Sequence, residues 1–418
     1  MTEATSAAPA PDALADVLVD APFVRLVATD DGDALAAAGL LARALRAVGT
    51  PFQVRVAPDP FSDDVDDGVD DGIAVAVGAD RGPHAIPGSS RPASADAFAV
   101  ARVLDVDPDP IVALAGVVAA GSIPGTDGSA DALDAAEASG RVRRRPGVAL
   151  PTTDLADDIA ASTLVRTPHS GDPEAARAAL AALGLPTDLD DDAHRQLASL
   201  VAVDVADTEG ASTRAASAVE RALRPYETDS PFETVGGLAD VLDALAREAP
   251  GTGVAVALDR NPSGDVRTAA LDAWRTHGLT AHRALDDASI GRYDGCVVSR
   301  VDVAGAVDAA EAADAEIASV GSVSSAAAVL PSVARLVRDF RSPEPVAVAV
   351  DESTGRLAAA ATEPIGLGDV CRTVAAEFDA DGWGTADRGG LAVVADGSEN
   401  DGTDGDLAGA LAALREAL

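Results

Sequence analysis

A strand, a helix and a second strand follow one another near the start of the chain and limit the folds that it can adopt. Residues 23–28 (FVRLVA) and 52–56 (FQVRV) are short apolar runs of strand type, and residues 34–48 between them have helical periodicity. Gly49 and Pro51 end that helix. Two strands joined through a helix lie parallel in one sheet. The pattern therefore predicts an α/β fold with a parallel sheet.

The same alternation continues on both sides of a short segment bounded by Pro225 and Pro231, which marks a hinge between two lobes. We predict a flexible tail at residues 1–20, an N-terminal domain at 21–225 that is helical from about 150 onward, and a C-terminal domain at 232–418. Further strands are expected at 73–77, 254–258, 296–301, 346–350, 357–362 and 391–395, and further helices at 94–104, 110–120, 174–183, 191–206, 233–248 and 367–378.

The chain is strongly acidic, with a formal net charge of −38 from 69 acidic and 31 basic residues, and each of those 31 is Arg. Repulsion at this charge destabilises a compact state at low salt, whereas molar salt shortens the Debye length to about 3 Å. An acidic disordered chain is the alternative, but the regular apolar periodicity argues against it. We therefore expect a folded, halophilic protein whose acidity reflects its solvent more than its partners.

Cysteine usage and hydropathy predict the location of the protein. Cys296 and Cys371 lie far apart and have neither a disulfide framework nor zinc-type spacing. No apolar run reaches the length of about 18 residues that a membrane helix needs. The acidic N-terminus lacks the basic and apolar regions of a signal peptide. These features predict a cytoplasmic protein that does not interact with membranes.

Three carboxylates, Asp30, Asp31 and Asp33, directly follow the first predicted strand. Ligands bind at the carboxyl ends of strands in open α/β sheets, and divalent cations prefer oxygen ligands. Two metals about 4 Å apart would activate water and hold a phosphate. Asp is also favoured as the N-cap of a helix. The local pattern leaves metal binding and helix capping equally open.

Residues 29–49 (TDDGDALAAAGLLARALRAVG) resemble the first motif of the DHH phosphoesterase superfamily, in particular that of RecJ-like exonucleases. That motif reads His-x-Asp-x-Asp-Gly and precedes a helix, so Asp31 and Asp33 align with its two aspartates. Thr29 stands at the His position and Ala34 at the Gly position. The resemblance implies that Asp31 and Asp33 are remnants of a metal site. Asp30 and Asp80 are further candidate ligands.

A second resemblance lies in residues 382–390 (GWGTADRGG), which are similar to the Gly-Gly-Gly-His turn of the DHH-associated substrate-binding domain. Gly382 and Gly384 are kept, Trp383 replaces a Gly and Thr385 stands at the His position. We predict a Gly-rich turn that binds nucleic-acid phosphates through its backbone and Arg388. Trp383 would stack on a base or pack in the core. The resemblance implies two lobes, an N-terminal parallel-sheet DHH-like domain and a smaller C-terminal α/β DHH-associated-like domain.

Several ligands of the superfamily's metal chemistry are missing from the sequence. There is no Asp-His-His triplet, Asp80 and His84 follow the strand at 73–77 without fitting the motif, and no carboxylate precedes Asp127 after the helix at 110–120. A two-metal site needs roughly four to six protein ligands, and Asp31 and Asp33 supply two. The resemblance thus implies a retained fold with weakened or lost chemistry, and Mn²⁺ or Mg²⁺ as the cofactor if activity remains.

The densest positive charge along the sequence is a short run that contains Arg141, Arg143, Arg144 and Arg145. These side chains would contact phosphates or pair with the many surrounding carboxylates, and pairing is the commoner fate of surface arginines. Arg143 and Arg144 are candidate phosphate contacts.

Three functions are compatible with these observations. The resemblance implies a silent or weakened RecJ-like protein of DNA replication or repair, since the eukaryotic replicative helicase has a silent subunit that is similar to this family. Its partners would be single-stranded DNA or RNA and replication proteins such as the GINS complex. The second function is an active metal-dependent exonuclease or phosphodiesterase that uses Asp30, Asp80, His84 and Asp127. The third is a Rossmann-like binding module unrelated to nucleic acids.

Overall fold

The computed structural model describes residues 11–59, 72–186, 189–208, 212–307, 325–393 and 403–418. The chain forms two compact units, and each unit is made of two segments of the sequence. The first unit comprises Met1–Arg145 and Tyr226–Leu271, and the second comprises Pro146–Pro225 and Asp272–Leu418. The segment from about 150 to 225, which the sequence assigns to the N-terminal domain, thus belongs to the same unit as the C-terminal part.

The structure contains helices of widely different lengths. In chain order they are α1 (Pro11–Asp20), α2 (Gly32–Val48), α3 (Ala93–Val103), α4 (Pro110–Ala119), α5 (Ala130–Ala138), α6 (Leu155–Ala161), α7 (Pro173–Leu183), α8 (Asp191–Asp207), α9 (Thr213–Ala222), α10 (Val235–Glu248), α11 (Pro250–Leu258), α12 (Gly264–Asp286), α13 (Ala326–Leu336), α14 (Leu367–Glu377) and α15 (Thr403–Ala417). A π-helical turn, Val337–Arg341, continues α13.

Within the described residues the strands form three sheets. In chain order they are β1 (Val24–Ala28), β2 (Phe52–Val56), β3 (Ile73–Val77), β4 (Ala85–Ile86), β5 (Val142–Arg144), β6 (Tyr226–Thr228), β7 (Ser289–Arg292), β8 (Cys296–Arg300), β9 (Val346–Asp351), β10 (Arg356–Ala361), β11 (Ala380–Gly384) and β12 (Arg388–Val393). β5 and β6 form a separate antiparallel pair in the first unit.

A parallel sheet in the order β2-β1-β3-β4 is the centre of the first unit. β1 is in register with both β2 and β3 from Val24 to Ala28. The following helix, α2, is buried over most of its length and packs against α3, α4, α10 and α11. Small residues make this packing close, since a Cβ atom on Gly39 would lie 2.4 Å from the Cβ of Ala257. The sheet and α2 together fix the loop that joins β1 to α2.

The second unit is built on a mixed sheet in the order β11-β12-β10-β9-β8-β7. All neighbouring pairs are antiparallel except β8 and β9, which are parallel. Its core contains apolar side chains such as Val348, Leu357 and Leu391, against which α14 and α15 pack. α13 packs on β9 and β10, so the π-helical turn begins beside the sheet.

The predicted α/β class is confirmed, with a parallel sheet in the first unit and a separate, sheet-rich second unit. The strand predicted at 254–258 is wrong, because this run belongs to α11, which begins at Pro250. A short run that is apolar all round does not distinguish strand from helix by its periodicity. The predicted tail is also too long, because α1 covers Pro11–Asp20, whereas residues 1–10 lie outside the described residues.

The Gly-rich turn expected before a strand at 391–395 is a β-hairpin instead, in which β11 pairs with β12 from Ala380↔Val393 to Gly384↔Gly389. The register leaves only a short connection around Thr385 and Asp387. No helix in the described ranges combines the length and the apolar character of a membrane span.

Candidate functional site

The loop between β1 and α2 carries the carboxylates that the sequence singles out. It leaves the carboxyl end of β1 and is fixed to β3, because the Thr29 amide donates to the Val77 carbonyl at 3.0 Å. Thr29, Asp31 and Asp33 are all buried, at 2%, 2% and 4% exposure. The sequence therefore places these polar groups at the ligand-binding edge of the sheet, as expected for this fold class.

Asp31 is the N-cap of α2. Its backbone is extended, and one carboxylate oxygen, Oδ1, accepts a hydrogen bond from the Ala34 amide at 2.9 Å. The other oxygen, Oδ2, accepts a hydrogen bond from the Thr29 hydroxyl. Both oxygens of this side chain thus have a protein donor, and the residue at the His position of the motif is one of the donors.

Asp33 caps a different helix from its own. Its two carboxylate oxygens accept hydrogen bonds from the amides of Ala93 and Ser94, at 2.6 and 2.9 Å, at the N-terminus of α3. The positive end of the helix dipole stabilises an anion at this position. Burial and the charge of Asp31 nevertheless raise the pKa of Asp33 to about 7. A carboxylate of the chain itself thus occupies the anion-binding end of α3.

Tight packing fills the space beside the Thr29 hydroxyl. Gly78 follows β3 with a φ of +87°, and a Cβ atom there would lie 2.1 Å from the Thr29 Oγ1. On the other side of the loop the amide of Gly32 donates to Asp243 Oδ1 on α10 at 3.1 Å, and Arg247 holds Asp243 at 2.9 Å. Asp243 was not predicted as part of this site, because nothing in an ordinary amphipathic helix signals a contact this distant in sequence.

The other predicted metal ligands have more open surroundings. Asp30 and His84 are partly buried, whereas Asp80 and Asp127 are exposed. Asp127 lies in a turn with a φ of +48°. Across the part of the chain that the structure describes, no group of three or more His, Cys, Asp or Glu side chains is arranged to hold a metal ion. The metal role of Asp30, Asp31, Asp33 and Asp80 remains a prediction from the resemblance.

Close packing explains the glycines of the C-terminal motif. A Cβ atom on Gly382 would lie 2.7 Å from the Cβ of Ala375 and 2.8 Å from the Cys371 carbonyl oxygen, both on α14. Gly384 has a φ of +139°, which favours glycine. The Trp383 ring covers Gly390, where a Cβ atom would approach its Cζ2 within 2.9 Å. These residues let α14 and the hairpin lie directly against each other.

Arg388, the predicted phosphate contact, begins β12 and is half-buried. Its Nε donates to the Thr385 hydroxyl at 3.3 Å, and that hydroxyl also donates to Asp387 at 3.2 Å. Arg388 is thus hydrogen-bonded to Thr385, the residue at the motif's His position. Its nucleic-acid role stays a prediction.

The basic run lies on and around β5 and pairs with carboxylates. Arg141 contacts Asp109 at 2.7 Å and Asp229 at 3.0 Å, and Arg143 contacts Glu227 at 2.7 Å. Arg144 lies over the ring of Tyr226, 5.3 Å from its centroid. In the structure, Arg141 and Arg143 thus form ion pairs with carboxylates, which is one of the two roles that the sequence left open.

The sequence is similar to a protein of Haloarcula marismortui along nearly its full length. A family model described as "Uncharacterized protein rrnAC1427, C-terminal domain" matches residues 288–416. "Uncharacterized protein rrnAC1427" of Haloarcula marismortui is 45% identical over 387 residues, which cover 93% of this chain and 92% of that protein. The chain belongs to the rrnAC1427 family. An alignment of this length includes both compact units.

Two solved structures are similar to this fold. Cdc45 from Entamoeba histolytica superposes with a TM-score of 0.58 at 9% identity, covering 97% of each chain. Exonuclease RecJ bound to manganese superposes with a TM-score of 0.49 at 12% identity, covering 100% of this chain and 96% of the other. The Cdc45 superposition confirms the expected fold. At identities this low, structural similarity is evidence for the fold and not for the chemistry.

Proposed function

We propose that this protein is a catalytically silent RecJ-like protein that serves DNA replication or repair as a binding or helicase-associated subunit. The observation that carries the proposal is the bonding of Asp31 and Asp33. Each of their four carboxylate oxygens accepts a hydrogen bond from the protein, and the donors are Thr29, Ala34, Ala93 and Ser94. A carboxylate in this arrangement serves the protein as a helix cap.

The number of available ligands adds to this argument. A two-metal phosphoesterase needs several ionised carboxylates or imidazoles around the same point, because two cations and a phosphate must be held together. Among the described residues no third side chain joins Asp31 and Asp33 in such a group. The two carboxylates act as helix caps in this reading.

The retained fold supports a binding role. A chain that had lost only its chemistry would keep the sheet, the two units and the packing glycines of the C-terminal hairpin, all of which are present. The similarity of the fold to that of Cdc45 also supports a binding role. We accordingly propose single-stranded nucleic acid and the GINS complex of the same organism as partners.

A nuclease assay tests the catalytic part of the proposal. Labelled single-stranded DNA and RNA are incubated in molar KCl with Mn²⁺ or Mg²⁺ and either the wild type or the variant Asp31→Ala/Asp33→Ala. We expect no metal-dependent cleavage by either protein. Cleavage by the wild type that disappears in the variant would establish an active phosphoesterase. Cleavage that survives in the variant but is lost on Asp80→Ala and His84→Ala would indicate a rebuilt site.

The partner is tested separately. Purified GINS complex and the wild-type protein are mixed in molar KCl and separated by size-exclusion chromatography with light scattering. Co-elution at the summed mass is the expected result. Separate elution across the accessible salt range would refute the helicase-associated role and leave the catalytic question to the nuclease assay.

A further inference from the structure

Six arginine side chains gather around the π-helical turn Val337–Arg341 in the second unit. They come from three parts of the chain, namely the segment after α6, helix α9, and α13 with its π-helical continuation. π-helical turns are rare and occur often at functional sites. The six are Arg166, Arg214, Arg221, Arg335, Arg338 and Arg341.

Asp339 is the carboxylate at the centre of one half of this arginine cluster. The guanidinium of Arg338 contacts both its oxygens, at 2.8 and 3.1 Å, and the Arg221 Nη2 lies 3.7 Å away. Burial raises the pKa of Asp339, yet Arg338, Arg335 and Arg221 together bring it below its ordinary value. This carboxylate is therefore ionised, and both of its oxygens contact arginine side chains.

The other half of the cluster surrounds Asp286. Arg166 is buried and hydrogen-bonds Asp286, while the Arg341 Nη2 lies 3.8 Å from the same carboxylate. Arg166 also donates to the Nδ1 of His282 at 3.0 Å, so the opposite ring nitrogen donates to the Ser162 carbonyl at 2.9 Å. Burial and the charge of Arg166 lower the pKa of His282 to about 3. The imidazole is thus neutral and adds no charge.

Positive charge is in excess at this place. Besides Asp339 and Asp286, the cluster faces Glu344, which Arg292 already binds at 2.6 Å. Among the contacts given above for the described residues, six guanidiniums thus face three carboxylates, in a chain whose net charge is −38. Burial lowers the pKa of Arg214 and of Arg221, and in both cases the charge of Arg338 lowers it further. An anion bound here would relieve this repulsion.

Two of the six arginines are held loosely. Arg335, Arg338 and Arg214 each donate to a main-chain carbonyl, on Thr163, Ala361 and Ser342, at 3.1, 3.0 and 2.8 Å respectively. Arg221 and Arg341 lie 3.7 and 3.8 Å from their carboxylates, with side chains that are 36% and 24% exposed, and the Arg221 Nη1 donates to the Ser217 carbonyl only at 3.5 Å. The Nε of Arg341 is buried and has no hydrogen-bond partner among the described residues. These two side chains retain donors for a ligand.

We infer that the arginine cluster binds the phosphate groups of a nucleic-acid strand, with Arg221 and Arg341 as the direct contacts. The inference rests on the proposed binding role and assigns it to residues other than Arg388 of the hairpin loop. The planar guanidinium fork matches the oxygens of a phosphate and is worth more at a partly buried site. Molar salt screens charges beyond about 3 Å, so direct contact of this kind is the interaction that survives there.

The test measures binding of a labelled oligothymidylate by fluorescence anisotropy over a series of KCl concentrations. The wild type is compared with Arg221→Gln/Arg341→Gln and with the control Arg177→Gln/Arg195→Gln. The control removes the same charge from two exposed ion pairs of the second unit, with Asp157 and with Asp192. Each lost phosphate contact lowers the magnitude of the slope of log K against log salt by about 0.7. We expect the slope to fall by about 1.4 in the cluster variant and to stay unchanged in the control.

Each outcome tests a different part of the proposal. No binding by the wild type would refute the nucleic-acid role altogether. Wild-type binding that the cluster variant retains with the same slope would refute only the arginine cluster, and a loss on Arg388→Ala would then locate the strand on the hairpin loop. Equal competition by polyglutamate would identify an acidic polypeptide as the ligand and overturn the phosphate assignment. If the variant does not fold, hydrogen exchange of the wild type decides, since the strand must protect α9 and residues 335–341.

Discussion

The sharpest consequence of this structure is that removing the Asp31 carboxylate destabilises the protein. Two contributions can be estimated. Loss of the N-cap bond to the Ala34 amide costs about 1 kcal/mol, and loss of the closer acceptor of the buried Thr29 hydroxyl, which keeps the Val77 carbonyl at 3.5 Å, costs about 1–3 kcal/mol. Asp31→Ala should therefore lower the free energy of unfolding by about 2–4 kcal/mol. Asp172, the exposed N-cap of α7, provides the control, and Asp172→Ala should cost only about 1 kcal/mol.

The measurement is urea unfolding in molar KCl with a chelator present, completed by a double-mutant cycle with Thr29→Val. Because the Thr29 hydroxyl donates to Asp31, the second substitution should cost less in the Asp31→Ala background than in the wild type. An Asp31→Ala variant as stable as the wild type, or more stable, would refute the capping role.

Three other predictions concern packing, pH and binding. Gly39→Ala should destabilise the first unit by at least about 1–3 kcal/mol, because its Cβ would lie 3.0 Å from the carbonyl carbon of Ala257. The control Gly251→Ala, whose Cβ would have no atom within 4 Å, should be neutral or slightly stabilising. Thermal melts of both variants measure the difference. Burial raises the pKa of Asp158 to about 6, so the folded state holds a proton that the unfolded state loses near pH 4. Asp158 should therefore make stability fall by about 3 kcal/mol as the pH rises from about 4 to 6, in addition to the fall that Asp33 causes. Unfolding curves of Asp158→Asn should show a smaller decline than those of the wild type, and equal pH profiles would contradict the assignment. Arg388→Ala should weaken binding of single-stranded DNA in an anisotropy titration if the hairpin loop also contacts the strand, and unchanged affinity would remove Arg388 from the interface.

Patterns that are local in the sequence were predictable, and patterns that depend on distant contacts were not. The apolar alternation around β1, α2 and β2 predicts the parallel sheet, because each element buries its own face. By contrast, the run at 254–258 is apolar in every direction, so only the helix start at Pro250 and its packing on α2 show that it is helical.

The candidate site shows the same limit. An Asp before a helix has the same local pattern whether it caps the helix or binds a metal, so the sequence left both roles open for Asp31 and Asp33. The amides that bond Asp33 belong to Ala93 and Ser94, and the carboxylate that receives the Gly32 amide belongs to Asp243. Likewise, the glycines at 382 and 384 are spaced like a phosphate-binding turn but are needed for contact with α14. These partners come together only in the folded unit.

Manganese binding at Asp31 and Asp33 tests the central statement most directly. Free Mn²⁺ is measured by its electron paramagnetic resonance signal during titration with the wild type and with Asp31→Ala/Asp33→Ala in molar KCl, so that weak binding to the acidic surface is the same in both. We predict identical depletion of free Mn²⁺ by the two proteins, because the four carboxylate oxygens are bonded within the protein. Tight, stoichiometric uptake by the wild type that the variant lacks would show a working metal site and contradict the silent role.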